Sequence, residues 1–168
     1  MTIKVGDKLP PGTLSEYIEV ETAGCTLGPN EFKVEDLTRG KKVVIFGLPG
    51  AFTPTCSAKH VPSYVQNIER LKAKGVAEVI CMSVNDAFVM GAWARDQKTG
   101  NKIRLMGDGS AAYTKALGLE LDLVAKGLGT RCQRFSMLVD NGVVKVLNVE
   151  APGKYEVSDA ETMLKQLG

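Results

Sequence analysis

The 168 residues include one histidine, His60, and four cysteines: Cys25, Cys56, Cys81 and Cys132. This inventory limits the available chemistry. A structural zinc site takes four closely spaced ligands, and the chain offers no such cluster and no Cys-x-x-Cys pair. Neither a metal nor another cofactor is expected, and thiol chemistry is what remains. One thiol stands apart. In Gly47-Leu48-Pro49-Gly50-Ala51-Phe52-Thr53-Pro54-Thr55-Cys56 an apolar run meets a Pro/Gly turn and then a helical pattern, which puts Cys56 in the first turn of a helix. Amides there lack intrahelical acceptors and the helix dipole is positive, so an anion is favoured. A thiolate is such an anion and is the nucleophilic form of cysteine.

A free thiol is only a few per cent ionised at neutral pH. A helix end contributes at most about 2 kcal/mol toward ionisation, so a cation must supply the rest. The sequence offers Arg131 and Arg134, near an apolar strand, without choosing between them. An inert core cysteine is an equally open reading of Cys56, since free cysteines are among the most buried residues. His60 lies four residues after Cys56, on the same helical face, and a Cys–His nucleophilic pair is conceivable. Against that pair stand a kink expected at Pro62 and the lack of an orienting third group.

The surrounding pattern shows what positions these residues. Val43 to Leu48 is short and β-branched and reads as a strand buried on both faces. Ala58, Val61, Val65, Ile68 and Leu71 repeat at helical spacing from about Pro54 to Ala73. Thr53 is expected to cap this helix, Pro54 suits its first position, Gly75 ends it, and Pro62 should kink it. Val79 to Val84 is a second buried strand. Asp86 caps a helix through Phe88 and Trp93 that Gly100 stops. Ile103 to Met106 is a third strand, followed by a helix capped by Ser110. A Gly-containing loop at Lys126 to Gly129 precedes the strand Phe135 to Val139. Asp140-Asn141-Gly142 then turns the chain into Val143 to Leu147. The last helix opens on a capping box, Ser158-x-x-Glu161. The first 40 residues are less readable, with Gly24 to Asn30 looking like loop. Parallel crossovers followed by an antiparallel hairpin predict an α/β protein, a mixed central sheet flanked by helices in the thioredoxin-like layout, formed as one domain over residues 1–168.

Pro49-x-x-x-Thr53-x-x-Cys56 resembles the active-site signature of the peroxiredoxins. The wider run Pro49 to Ser57 looks like the type II, or peroxiredoxin-5, class. The resemblance extends to Ser83-Val84-Asn85-Asp86-Ala87-Phe88-Val89 and to Arg134-Phe135-Ser136-Met137. It implies a thiol-dependent peroxidase of hydrogen peroxide and organic hydroperoxides, serving antioxidant defence. Cys56 would be the peroxidatic residue, oxidised to a sulfenic acid. Thr53 would orient the peroxide, Pro49 would shield the sulfur, and Arg134 would be the stabilising cation. The resemblance also implies a homodimer with Phe52 and Phe88 near the contact.

Some members of the class carry a resolving cysteine near the C-terminus, but Lys154 to Ser158 contains none. Plant-type relatives place one 25 positions after the peroxidatic cysteine, which matches Cys81 (81 − 56 = 25). Cys81 is therefore the candidate resolving residue, although an apolar strand makes a thiol inert. Cys25 and Cys132 match no such position. The expected reductant is an external thiol, glutathione with glutaredoxin, with thioredoxin as the competitor. Net charge is +2 with lysines and arginines scattered, which argues against nucleic-acid binding. No apolar stretch is long enough to span a membrane. With no secretory signal at the N-terminus, the cytoplasm is the expected compartment.

Overall fold

The β-branched run Val43-Val44-Ile45 lies in β3 (Lys42–Gly47), inside a seven-stranded sheet of order β2-β1-β5-β4-β3-β8-β9. The computed structural model describes residues 1–168. β3 pairs in parallel with β4 (Glu78–Ser83), and β4 with β5 (Arg104–Gly107). β8 (Phe135–Asp140) runs antiparallel to β3, and β9 (Val143–Val149) antiparallel to β8. On the far side β1 (Thr13–Ile18) and β2 (Gly28–Lys33) close the sheet with antiparallel pairs. The mixed α/β architecture is the one the element order predicts.

Alternation along β3 divides the interior into two cores. Val44 and Phe46 join α2 (Val61–Ala73), α3 (Ala87–Asp96) and α5 (Ala160–Gln166) through Tyr64, Leu71, Trp93 and Met163. Val43 and Ile45 face the opposite way, toward α1 (Val34–Thr38) and α4 (Ala112–Leu117). Both faces of the strand are thus covered, which is why it lacks polar alternation. Cys56 belongs to the first of these cores.

Several expectations need correction. The irregularity expected at Pro62 takes the form of a widened turn just ahead of it. Residues Cys56–His60 form a π-helical turn, with the Val61 amide bonded to the Cys56 carbonyl, and α2 continues from there. Proline has no N–H to give to the carbonyl four residues back and its ring crowds it; widening one turn absorbs both problems. Thr53 does not cap this helix through its side chain: no helix amide bonds its hydroxyl oxygen, and the hydroxyl donates to the Gly50 carbonyl at 2.7 Å.

Ser110 and Ser158 are not caps either. Asp108 accepts the Tyr113 and Thr114 amides at the start of α4, and Asp159 accepts the Thr162 amide in α5. In both cases the carboxylate is the stronger acceptor for free amides at a positive helix end. Gly28 to Asn30, expected as loop, begin edge strand β2, paired residue for residue with β1. The Gly127–Gly129 turn joins a two-stranded sheet of β6 (Glu120–Leu123) and β7 (Gly129–Cys132), which periodicity did not reveal. The predicted Asp86 cap and the Asn141-Gly142 hairpin are present, with φ of 49° and 82° at the turn residues.

Gly47 ends β3 against the ring of Phe135. A Cβ there would lie 2.2 Å from that ring and 3.0 Å from the Cys132 sulfur. Gly47→Ala is therefore expected to destabilise the protein by about 1–3 kcal/mol through overpacking, read as a lower urea midpoint with an unchanged slope. An unchanged midpoint would contradict this packing.

Candidate active site

Register brings the separated residues together. Gly47 of β3 pairs with Phe135 of β8, so the loop after β3 and the residue before β8 leave the sheet side by side. That loop carries Pro49, Thr53 and Cys56; the residue before β8 is Arg134. The Arg134 Nη2 donates to the Cys56 Sγ at 3.1 Å. Arg131 does something else: its Nη1 donates to the Pro49 carbonyl at 3.1 Å and its Nε to the Leu128 carbonyl. It braces the turn before the cysteine, and the contact is close enough that a Cβ on Gly50 would sit 2.4 Å from Arg131 Nη1. Of the two cations the sequence offered, the one at the sulfur is Arg134.

The first backbone bond of the cysteine helix runs from the Ser57 amide to the Thr53 carbonyl at 3.0 Å, and the Thr55 and Cys56 amides make no backbone bond. They supply the free donors that a first turn provides. The turn is held from outside as well. Trp93 Nε1 donates to Ser57 Oγ at 3.0 Å, and the Ala51 amide donates to Asn85 Oδ1 at 3.0 Å, a group also bonded by Ser83. Cys56 itself is fully buried. A cavity of about 480 Å³ opens beside it, lined by Pro49, Thr55, Arg134 and Tyr155 among others. A larger cavity of about 750 Å³, walled by Tyr17, Phe32 and Arg104, contains only the half-buried Cys25 thiol and lacks this concentration of donors around a sulfur.

His60 is not a base for Cys56. A guanidinium has no acceptor, so Arg134 Nη1 donates to His60 Nδ1 at 2.9 Å. The ring proton is therefore on Nε2, which donates to the Ser158 carbonyl at 3.0 Å. Burial, reinforced by the Arg134 charge, pushes this imidazole from 6.5 down to about 3. It is neutral with both nitrogens engaged, and no lone pair is left to take a proton from Cys56.

The wall opposite the cysteine is a strap, residues 151–158. Glu150, buried at the end of β9, accepts the amides of Glu156, Val157 and Ser158 and the Ser158 hydroxyl, at 2.7–2.9 Å. Its own amide bonds the Arg134 carbonyl at 2.9 Å. Burial disfavours its charge, but the four donors outweigh that and hold the carboxyl below its ordinary 4.5. Tyr155 on the strap places its ring 5.8 Å from the Arg134 guanidinium carbon. Glu150, Tyr155 and the bracing role of Arg131 go unassigned in the sequence, and His60 reads there only as a partner for Cys56, because no local motif signals these contacts.

Cys81 and Cys132 are fully buried, and burial pushes both thiols well up. Cys81 lies in β4, an interior strand, and Cys132 donates to the Gln133 carbonyl. All four cysteines are free thiols. No group of His, Cys, Asp and Glu has the arrangement of a metal site.

Comparison with known proteins identifies the family and the fold. The redoxin family description matches residues 4–164. The chain is 49% identical to peroxiredoxin-2B of Arabidopsis thaliana over 168 residues, covering 98% of each. It superimposes on reduced Prx3 of Vibrio vulnificus in complex with hydrogen peroxide with a TM-score of 0.91 at 49% identity, covering 99% of this chain and 100% of that one. A Burkholderia cenocepacia structure, provisionally described as a thioredoxin reductase, aligns with a TM-score of 0.98 at 60% identity, covering 100% and 99%.

The strap yields a pH-dependent prediction. A carboxyl held below its unfolded value contributes stability above that value, and the contribution is lost as pH falls through the folded one. Glu150→Gln should therefore be less stable than wild type at about pH 7. The gap should close as pH drops below the ordinary 4.5 of a glutamate. Paired urea melts across that range test this; a gap that stays constant with pH would show that the ionised carboxylate is not what holds the strap.

Proposed function

The chain belongs to the redoxin family and is a thiol-dependent peroxidase of the peroxiredoxin type, and we propose that Cys56 is its reacting sulfur. The observation that carries this reading is the Arg134 Nη2–Cys56 Sγ contact of 3.1 Å at a helix end with free amides. The Cys56 thiolate attacks one peroxide oxygen. An S–O bond forms, the O–O bond breaks, and the electron pair leaves on the distal oxygen, which takes a proton to become water or an alcohol. Cys56 becomes a sulfenic acid.

Negative charge moves from sulfur to the leaving oxygen in this step. Fixed donors aimed at that path lower the barrier because they need no reorganisation. Arg134 serves both ends in this reading: one N–H holds the sulfur, and the N–H groups not committed to Cys56 or His60 are available to the peroxide. The Thr53 hydroxyl has committed its proton to the Gly50 carbonyl, so its lone pairs are left to accept the peroxide O–H and orient it. Pro49 lines the same cavity with an apolar ring and has no amide hydrogen to compete for the thiolate. Its carbonyl is pinned by Arg131.

Regeneration is by an external thiol. One thiol displaces water from the sulfenic acid to give a mixed disulfide, and a second releases Cys56 as the thiol and leaves as disulfide. Glutathione with glutaredoxin is the reading favoured here, with thioredoxin as the alternative. Cys81 supports an internal route poorly. Its thiol is buried in an interior strand, whereas a disulfide needs Cα atoms within about 7 Å and an ionisable partner. The cytoplasm is the compartment assigned in this reading, since no disulfide links the four cysteines and a reducing environment favours free thiols. Homodimerisation is supported by two exposed aromatic rings, Phe52 and Phe88, 54% and 63% exposed, with Phe52 near Trp93 and Phe88 near Tyr17.

Two measurements test this reading. In peroxide-consumption assays with the glutaredoxin/glutathione and thioredoxin systems run side by side, Cys56→Ser should abolish turnover and Cys81→Ser should preserve it. Arg134→Ala should slow the peroxide step by about 10²–10³-fold, the usual cost of one lost oxyanion donor. Full activity in Cys56→Ser, or loss with every donor in Cys81→Ser, would refute the corresponding assignment. Separately, Phe88→Asp should convert dimer to monomer in analytical ultracentrifugation; a wild-type monomer would end the dimer proposal.

A further inference from the structure

We propose that His60 is a positioning residue: a neutral imidazole whose Nδ1 lone pair fixes the Arg134 guanidinium against the Cys56 sulfur without cancelling its charge. The inference rests on the reading of Cys56 as the reacting sulfur and Arg134 as its cation.

Four of the other five arginines are held by carboxylates, and the fifth, Arg131, is held by carbonyls. Arg104 lies between Glu16 at 2.7 Å and Glu78 at 3.3 Å, Arg70 meets Glu161 at 2.6 Å, and Arg39 meets Asp36 at 2.9 Å. Such a pair orients a guanidinium but neutralises it. Arg134 forms no such pair. Glu150, hydrogen-bonded to it only through the backbone, directs its carboxylate into the strap amides and the Ser158 hydroxyl instead. The acceptor that Arg134 does have is uncharged. One guanidinium nitrogen bonds His60 Nδ1 at 2.9 Å and another bonds Cys56 Sγ at 3.1 Å. A planar group fixed at two of its nitrogens has no rotational freedom left, and its full positive charge acts on the sulfur.

The imidazole is itself immobilised. Its Nε2–H is taken by the Ser158 carbonyl, which also accepts the Tyr64 hydroxyl at 2.9 Å. Its ring lies 4.8 Å from Phe46 and 5.2 Å from Tyr155. The Ser158 segment is tied down by Glu150. Glu150, the strap, His60 and Arg134 thus form a continuous chain of hydrogen bonds ending on the sulfur. The tautomer is the critical element: a proton on Nδ1 would turn the acceptor into a donor facing a donor.

Two isosteres separate the two ends of the ring. In His60→Asn the amide oxygen can stand where Nδ1 was and accept from Arg134, while the bond to Ser158 is lost. In His60→Gln the amide nitrogen can reach Ser158, while the acceptor for Arg134 is lost. The readout is the rate of Cys56 oxidation by hydrogen peroxide, followed by mass spectrometry, with thermal melts alongside. His60→Gln should be slower than wild type by about tenfold or more, as expected for a lost hydrogen bond to a charged group, and His60→Asn should recover most of that rate even where its melting temperature is the lower of the two. If His60→Asn is no faster than His60→Gln while wild-type Cys56 reacts, the positioning role is refuted and His60 is a structural tie to the strap. If wild-type Cys56 itself fails to react with peroxide, the assignment of the site falls and this inference with it. Because His60 is the sole histidine, ¹⁵N-histidine NMR of the wild-type protein gives a second test that needs no variant. A neutral Nε2–H ring is expected from about pH 5 to about pH 8, across the range where an ordinary histidine titrates; an Nδ1–H tautomer or an imidazolium at neutral pH would overturn the proposal.

Discussion

One contact organises this site: a guanidinium carried in from another strand to within 3.1 Å of a buried sulfur. Burial alone would disfavour the ionised form of any thiol, and the other two buried cysteines show it, with both thiols pushed upward. Cys56 is as inaccessible as they are. What differs is its surroundings. Cys56 has a cation and free first-turn amides, whereas Cys132 faces a carbonyl and Cys81 lies within the sheet. Three equally buried cysteines thus differ in what each is buried against.

The fold delivers that contact through strand register. β3 and β8 are antiparallel neighbours paired at Gly47 and Phe135. One strand therefore ends where the other begins, and the two flanking segments face each other across a short gap. Gly47 matters because nothing larger fits beside Phe135. Extending the β8–β9 pairing one step brings the Glu150 amide to the Arg134 carbonyl, so the residue that anchors the strap is fixed relative to the cation at the sulfur. Arg131, from the small β6–β7 sheet, closes the arrangement by gripping the Pro49 carbonyl. Pro49, Cys56, Arg134 and the strap are thus placed by strand register and held by the Arg131 and Glu150 side chains.

The π-helical turn at Cys56–His60 follows the same logic. An ordinary α-helix leading into Pro62 would leave a carbonyl crowded by the proline ring. Widening the turn relieves this and leaves the cysteine and the histidine on one guanidinium, each using a different nitrogen. The feature that looks like a helix defect in the sequence is built into the site.

What the sequence determined by itself is local. A β-branched run bounded by Gly and Lys reads as a buried strand, Asn-Gly reads as a hairpin, and Asp86 reads as a cap, because each depends on residues a few positions apart. Cys56 at a helix start is legible for the same reason, and the Pro49, Thr53 and Cys56 spacing lies within a single turn and helix entry. Tertiary structure decided the rest. Arg131 and Arg134 are equivalent candidates in sequence, and only the β3–β8 register sends one to the sulfur and the other to a carbonyl. His60 looks like a base when read along its helix; its partners are 74 and 98 positions away, and they fix its tautomer. Ser110 and Ser158 look like caps until a nearby carboxylate outcompetes them. Short-range geometry is encoded in spacing, whereas the roles of charged and hydrogen-bonding side chains depend on which groups the folded chain brings within about 3 Å of them.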